Sequence, residues 1–120
     1  MTDPSDLVLH LEAARAAAKK TDAPTVVLDV GDVLAITGWF VITSGSSTRQ
    51  VRAIADAIEE DVFAAGGPKP IRVEGLEDGT WVLMDYGEVI IHVFDDETRS
   101  FYDIERLWRD VPTVEWSSES

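Results

Sequence analysis

The sequence predicts an α/β fold in which a mixed sheet of about five strands is flanked by helices. Two observations support this prediction. Several short apolar runs, rich in β-branched and aromatic residues, are typical of strands. Between them lie stretches with apolar residues at helical spacing, in the order α-β-β-α-β-β-β-α. The 120 residues, 45% of them hydrophobic, suffice for one domain with its own core, which we place at residues 1–112.

The first helix is predicted from about residue 4 to residue 20, followed by two strands. Asp3 suits an N-cap and Pro4 suits the first helical position. Its buried face should carry four apolar residues at helical spacing, Leu7, Leu11, Ala14 and Ala18. The run "TVVLDV" is typical of a buried strand, and the stretch from Trp39 to Ser44 predicts the second strand.

The second helix has clear start and stop signals. Ser47 followed by Gln50 fits a capping box, and Gly66-Gly67-Pro68 should end the helix. Its apolar stripe consists of Val51, Ile54, Ala55, Ile58 and Val62. The next run, "PIRVEG", predicts a short or edge strand because it begins with proline.

The stretch "TWVLMDYGEVIIHVFDD", Thr80 to Asp96, predicts a hairpin of two strands joined by Tyr86-Gly87. Counting from that loop gives three facing pairs, Asp85 with Glu88, Leu83 with Ile90, and Trp81 with His92. One face is then apolar throughout. The other combines aromatic residues with two like charges. A basic partner would relieve the repulsion between these two carboxylates. The stretch "DDETRSFYDIERLW" should be helical or turn-like, and residues 113–120 form a polar, acidic tail that we expect to be disordered.

The net charge of −13 disfavours nucleic acid and anionic lipid, and it favours basic surfaces. Between residues 74 and 110 there are eleven Asp and Glu against three Arg. The chain has no cysteine, no apolar run long enough for a membrane span, and no basic segment of the signal-peptide kind at its start. We therefore expect a cytoplasmic protein without disulfides.

Catalytic and metal-binding patterns are weak in this sequence. His92 lacks a suitable carboxylate because Asp95 alternates to the other side of the strand, and His10 is too isolated to form a metal pair. The motif "TSGSST" suggests a phosphate-binding loop, but no Gly-Lys-Ser/Thr follows it. It also resembles the entry to the nucleotidyltransferase fold. That fold then needs carboxylates on a strand, whereas Asp56, Glu59 and Glu60 lie on the predicted helix.

Three long motifs resemble the ribosome silencing factor family, also called the Iojap family. They are "FVITSGSSTRQVRAIADAIEE", "VEGLEDGTWVLMDYGEVIIHVF" and "RSFYDIERLW", and the resemblance extends from about Pro4 to Pro112. It implies a nucleotidyltransferase-like fold without the catalytic carboxylates, hence no enzyme activity, cofactor or metal. One departure is "TGWF", where family members usually read Thr-Asp-Tyr-Phe, so Gly38 and Trp39 replace the usual Asp and Tyr.

The resemblance also implies a partner. Family members bind the large ribosomal subunit through its fourteenth protein, on the face that meets the small subunit. Binding there blocks subunit joining and represses translation under nutrient limitation. Members often form homodimers when free, and little direct nucleic-acid contact, no membrane and no small-molecule substrate are expected. We predict eight contact residues, with Trp81 as the buried anchor: Trp81, Leu83, Asp85, Tyr86, Glu74, His92, Asp95 and Arg99.

Two other function classes remain open from the residues alone. One is a divergent nucleotidyltransferase-like enzyme that would use "SGSS" for a triphosphate, and thermal stabilisation by a nucleoside triphosphate with magnesium would reveal it. The other is a dimeric adaptor whose main partner is not the ribosome, which a pull-down from lysate would reveal.

Overall fold

A computed structural model describes residues 7–116 and shows a five-stranded mixed sheet with helices against it. The strands lie in the order β1-β2-β5-β4-β3, and β2 and β5 form a parallel pair between antiparallel neighbours. This confirms the predicted α/β class. The elements are α1 Leu9–Ala18, β1 Val26–Asp29, β2 Trp39–Gly45, α2 Thr48–Ala64, β3 Arg72–Glu74, β4 Trp81–Asp85, β5 Val89–Asp95, α3 Asp96–Tyr102 and α4 Ile104–Leu107.

One side of the sheet, here called the helix face, packs against α1 and α2. The predicted stripe of α2 is buried as a whole, and the Ser47 hydroxyl accepts a hydrogen bond from Gln50 N–H as the cap. The hairpin residues predicted to be pure core lie on this face and are all buried: Val82, Met84, Val89, Ile91 and Val93. Strict alternation along β4 and β5 therefore located the main core correctly.

The other side of the sheet, here called the open face, is covered only in part. Its apolar centre consists of Leu28, Val30, Phe40, Ile42 and Phe94. Ile104, Trp108 and Val111, from the segment after α3, pack over this centre. On the same side of the sheet, Trp81 of β4 packs against Tyr102 of α3. Farther along, Leu83 and Asp85 of β4 are half-buried, and Arg72 and Glu74 of β3 are exposed. The open face thus divides into a covered half and an uncovered half.

The first helix differs from its prediction. It begins at Leu9 after a Val8 N-cap without a side-chain hydrogen bond, rather than at residue 4, and the Asp3-Pro4 signal lies outside the described residues. Of the predicted stripe only Ala14 is fully buried; the buried face consists of Leu9, Ala13, Ala14, Ala16 and Ala17. The reason is that α1 packs against both α2 and the sheet, and alanines allow that close approach.

The hairpin also differs, by its register. Trp81 pairs with Phe94, Leu83 with His92, and Asp85 with Ile90. Tyr86 N–H donates to the Val89 carbonyl, so the loop is Gly87-Glu88 rather than Tyr86-Gly87. Gly87 has a φ of 89°, a conformation that suits glycine and strains tyrosine. Asp85 and Glu88 therefore do not face each other, which corrects the predicted like-charge pair.

The first residues of the predicted tail, 113–116, make contacts with β1 and the segment before it. Thr113 forms a bridge to Leu28, and Val114 N–H donates to the Val27 carbonyl. Trp116 Nε1–H donates to the Thr25 carbonyl at 2.9 Å. Residues 113–116 thus lie along the outer edge of β1, which would otherwise be unpaired. The rest of the predicted tail, 117–120, lies outside the described residues.

Candidate partner-binding face

The uncovered half of the open face contains an apolar pocket of about 460 Å³, here called the open-face pocket. Leu83 and Ile90 are half-buried in it, and Ile36 and Ile71 line it with 87% and 71% of their surface exposed. The complete lining is Leu34, Ile36, Thr37, Phe40, Ile71, Arg72, Leu83, Asp85, Gly87, Ile90 and His92. Two exposed isoleucines beside an apolar floor are typical of a surface that another molecule covers.

Leu83 and Glu74, two predicted contact residues, are placed where a partner could reach them. Leu83 lines the open-face pocket, and Glu74 of β3 pairs with Leu83 across the two strands. Glu74 is exposed on the edge strand. Their positions are compatible with the predicted role.

Asp85 also lies on the open face, but its carboxylate is already occupied. One oxygen accepts from Gly87 N–H at 2.8 Å and shapes the hairpin loop. The other lies 3.3 Å from Nε of Arg72, the residue that pairs with Asp85 across β3 and β4. A basic partner group would share this carboxylate with Arg72 rather than find it free.

Trp81, the predicted anchor, is half-buried and belongs mainly to the covered half. Its ring lies 4.9 Å, centroid to centroid, from both Phe94 and Tyr102. Its Nε1–H donates to His92 Nδ1 at 3.2 Å, so the predicted proximity of Trp81 and His92 holds although they do not pair directly. Trp81 thus packs between α3 and the strand residues of the open face.

His92 is buried, with 6% of its surface exposed, and lines the open-face pocket. Burial lowers the pKa of His92 to about 4, so its ring is neutral near pH 7. Trp81 supplies a donor to Nδ1, which fixes the remaining ring proton on Nε2. Nε2 is buried and has no hydrogen-bond partner among the described residues.

Tyr86 does not lie on the binding face. It is 6% exposed and packs in the core of the helix face, because the shifted loop places it on the same side as Met84. Burial, with a smaller contribution from Glu59, raises the pKa of Tyr86 to about 12. The prediction that Tyr86 contacts a partner conflicts with this position.

Asp95 and Arg99 have roles inside the fold. Asp95 is the N-cap of α3, and its carboxylate accepts from Thr98 N–H at 2.7 Å. Arg99 binds Glu105 through two hydrogen bonds of 2.8 and 3.2 Å. It also donates to the Pro24 carbonyl and to the Ser44 hydroxyl. Both side chains therefore hold α3 in place, and their predicted contact role stays a prediction.

The two positions that depart from the usual family motif lie at the start of β2. The backbone N–H groups of Gly38 and Trp39 both donate to the Glu88 carbonyl, which ties this strand to the hairpin loop. The Trp39 ring stacks on His10 at 4.3 Å, so it joins β2 to α1. Burial lowers the pKa of His10, against the raising effect of Glu88 and Asp29. Trp39 thus contributes to the packing of β2 against α1.

The "TSGSST" motif serves the start of α2. Beside the Ser47 cap, the Gln50 side-chain oxygen accepts from Ser46 N–H at 2.6 Å, one residue earlier than in a standard capping box. Gln50 also donates to the Lys20 carbonyl. Among residues 7–116 no three His, Asp or Glu side chains come together in a way that would hold a metal ion. No helix in that range is both long and apolar enough to cross a membrane.

The most exposed residues of the open-face pocket, Ile36 and Ile71, are not among the contact residues predicted from the sequence. Both lie in connecting segments, where apolar residues are less common than in strands. An isoleucine in a connecting segment is the sequence signal for such a surface, because a branched apolar residue there either packs inward or forms a contact surface. Ile90 lies on the face that strand alternation predicts for it, and it too is absent from the predicted contacts.

Comparisons with known proteins agree with the motifs. The family model described as "Ribosomal silencing factor during starvation" matches residues 3–120. The chain is 39% identical over 103 residues to the ribosomal silencing factor RsfS of Halalkalibacterium halodurans, covering 86% of this chain and 87% of that protein. It is 26% identical to the chloroplastic protein Iojap of Zea mays, covering 94% of this chain and 49% of the maize protein.

The fold gives the same result. A crystal structure of a protein from Chromobacterium violaceum superimposes with a TM-score of 0.76 at 30% identity, covering 93% of both chains. The chain therefore belongs to the family of ribosomal silencing factors.

Proposed function

We propose that this protein acts in the cytoplasm by binding the large ribosomal subunit through its fourteenth protein, on the face that meets the small subunit. Bound there, it blocks subunit association and so represses translation under nutrient limitation. It acts by occupying a surface, without catalysis or cofactor. Family membership supports the ribosomal partner, and the net charge of −13 suits a basic ribosomal protein.

The observation that carries the proposal is the open-face pocket with its acidic surroundings. An apolar centre formed by Leu83, Ile90 and the exposed Ile36 and Ile71 offers area for burial. Exposed carboxylates lie next to it, on the edge strand β3 and in the hairpin loop. An apolar centre with a charged rim is the usual anatomy of a specific protein interface. We take this surface, rather than Trp81 alone, as the ribosome contact.

The experiment is co-sedimentation of the protein with purified large subunits from the same organism. The variant Ile36→Ser with Ile71→Ser removes two exposed side chains, so folding should be unaffected. We expect its affinity to fall about tenfold or more, as for the loss of two interface side chains. Phe63→Ser is the matched control. Phe63 is also exposed, but it lies on α2, on the opposite side of the sheet from the open face.

Two results would separate the parts of this proposal. If wild-type protein does not sediment with large subunits at micromolar concentration, the ribosomal function is wrong. If it sediments and the double isoleucine variant sediments equally well, the function stands and the face is wrong. A sucrose gradient of mixed subunits, with and without the protein, then tests whether binding prevents joining.

We also propose that the free protein is a homodimer. The exposed apolar side chains Phe101 and Leu107, on α3 and α4, are compatible with such a contact. Sedimentation equilibrium at micromolar concentration measures the mass directly, and a monomer at all concentrations would contradict this part.

A further inference from the structure

The two outer edges of the sheet differ in how they are covered. Residues 113–116 lie along the outer edge of β1, whereas no strand pairs with the outer edge of β3 in the part of the chain that the structure describes. Every residue from Ile71 to Asp78 is exposed except Val73, which is half-buried. An uncovered edge strand offers backbone groups to which another strand can be added. The β3 edge is therefore open to pairing with another chain.

The pairing of β4 shows which backbone groups of β3 point to the open edge. Tyr86 directly follows β4, and its N–H donates to the carbonyl of Val89 in β5. Backbone groups alternate in direction along a strand, so even-numbered residues of β4 bond to β5 and odd-numbered residues bond to β3. Two of the odd-numbered residues pair with Arg72 and Glu74. The N–H and C=O of Val73, between them, therefore point away from β4.

The sequence of β3 is complementary in charge to itself. When two copies of the strand run antiparallel with Val73 opposite Val73, Arg72 of each copy faces Glu74 of the other. Opposite charges that face each other across two strands stabilise the pairing. A register centred on Arg72 or on Glu74 would instead bring like charges together. The exposed apolar residues Ile71 and Leu76 flank β3, and antiparallel pairing brings them near each other at both ends of the contact.

The side chains of Arg72 and Glu74 are placed for this contact. Val73 packs against the core of the helix face, so its two neighbours lie on the open face. Residues directly opposite in an antiparallel pair point to the same face, as an ion pair requires. Arg72 Nε lies 3.3 Å from Asp85, yet 64% of the Arg72 side chain is exposed. Its guanidinium has further N–H donors for a second carboxylate.

We propose that a second copy of this chain binds the outer edge of β3, so that the two five-stranded sheets join into one continuous sheet across a twofold axis at Val73. The Val73 N–H of each copy donates to the Val73 carbonyl of the other, and two ion pairs between Arg72 and Glu74 flank these bonds. The inference rests on the proposed homodimer and names its contact. A contact through Phe101 and Leu107 is the alternative outcome of the test.

Two charge reversals, Arg72→Glu and Glu74→Arg, test this inference by sedimentation equilibrium. In a homodimer of either variant, like charges meet at both ends of the strand pair, so the dissociation constant should rise about tenfold or more. In an equimolar mixture, one chain carries only carboxylates at these two positions and the other carries only guanidinium groups. Both ion pairs are then restored, and the mixture should dimerise about as tightly as the wild type.

The matched controls are Arg49→Glu and Glu60→Arg. Both residues are exposed on α2, and these changes alter the net charge as much as the reversals on β3 do. Because neither residue lies at the β3 edge, dimerisation of each control should stay within about twofold of the wild type. An effect as large as that of the β3 reversals would mean that only the overall charge acts, and it would overturn the inference.

Amide hydrogen exchange gives a second readout, which reports on the backbone bonds. The Val73 N–H is bonded only in the dimer, so its exchange should slow severalfold as the protein concentration rises through the dissociation constant. The Val114 N–H bonds to Val27 at the opposite edge of the sheet, and its exchange should not depend on concentration in this way. A Val73 exchange rate that is independent of concentration in a dimerising protein would overturn the inference.

The remaining outcomes separate this inference from the proposals on which it rests. If the wild type dimerises and both β3 reversals dimerise equally well, the homodimer stands and the β3 contact is wrong. Loss of the dimer in Phe101→Ser with Leu107→Ser would then assign the contact to α3 and α4. A mixture of the two reversals that stays monomeric also contradicts the β3 contact. A wild type that is monomeric at all concentrations contradicts the homodimer and this contact together, while ribosome binding keeps its own test by co-sedimentation.

Discussion

At the scale of single residues, Arg99 shows how one charged side chain can hold several segments together. Its guanidinium binds Glu105, the Pro24 carbonyl and the Ser44 hydroxyl, with 14% of the side chain exposed. These partners belong to α4, to the segment before β1, and to β2. A charge this buried is stable only because its donors have acceptors.

Replacing Arg99 with Met should therefore destabilise the fold. The change keeps much of the length, removes the donors and leaves Glu105 without its cation. We expect a loss of about 2–3 kcal/mol in the free energy of unfolding, measured by urea denaturation. Arg106→Met, an exposed arginine nearby, should change it by less than about 0.5 kcal/mol. Equal effects would mean that the Arg99 contacts do not support the fold.

His92 should make stability depend on pH. In the unfolded chain a histidine binds its proton near pH 6.5, whereas burial lowers the pKa of His92 in the folded chain to about 4. Protons thus bind the unfolded chain more readily between these values. The free energy of unfolding should be highest above pH 6.5 and fall by about 3 kcal/mol as the pH drops to 4.

Urea denaturation at pH 7 and pH 5 checks this, with His92→Phe as the comparison. The variant should lose less stability between the two pH values, by about 2 kcal/mol, because it lacks the titrating group. Carboxylates and His10 contribute equally to both proteins and cancel. Identical pH profiles would show that His92 keeps an ordinary pKa in the fold.

At the scale of elements, the C-terminal segment completes the sheet. The backbone of Asp29 and Val27 bonds to Pro112 and Val114, so the outer edge of β1 is paired. The Trp116 ring packs against the core of the helix face, and its indole N–H donates to Thr25. An edge strand without such cover is open to pairing with other chains. The segment thus protects one edge and adds apolar burial.

Trp116→Ala should lower the free energy of unfolding by about 2 kcal/mol, since a half-buried aromatic and one hydrogen bond are lost. Denaturation in urea measures the change. Glu115→Ala, the exposed neighbour, is the control and should have little effect. If both variants are as stable as the wild type, residues 113–116 do not contribute to the fold.

At the scale of the whole molecule, the excess of carboxylates should affect how fast the protein binds the proposed ribosomal partner. A net charge of −13 should speed encounter with a basic surface at low salt, and added salt should screen this effect. The position of the charge matters as well as its sum. Glu74 and Glu88 are exposed beside the open face, whereas Asp56 and Glu60 are exposed on α2.

Charge reversal at these two places separates position from sum. Glu74→Lys with Glu88→Lys should slow association with large subunits severalfold more than Asp56→Lys with Glu60→Lys, although both change the net charge equally. Stopped-flow binding at low and moderate salt measures the rates. Equal slowing would indicate that only the overall charge acts and that the open face is not the contact.

The sequence by itself determined the order of elements, the extent of α2 with its cap and stop, and which hairpin residues face the core. Those features depend on local signals: the alternation of a strand, the period of a helix and the turn preference of glycine. The predicted faces of the hairpin are correct although the predicted pairing is not. The observed pairing differs from the predicted one by two residues, and an even shift keeps every side chain on its face. The long motifs also sufficed to indicate the family.

Only the tertiary structure decided which half of the open face is left uncovered and which side chains there are free. Arg99 and Asp95 look like surface charges in the sequence, yet partners distant along the chain occupy Arg99, and Asp95 caps a helix. Tyr86 enters the core, and residues 113–116 pair with the outer edge of β1. Such contacts join residues far apart in the chain, so no local pattern encodes them, and packing of the whole molecule sets them.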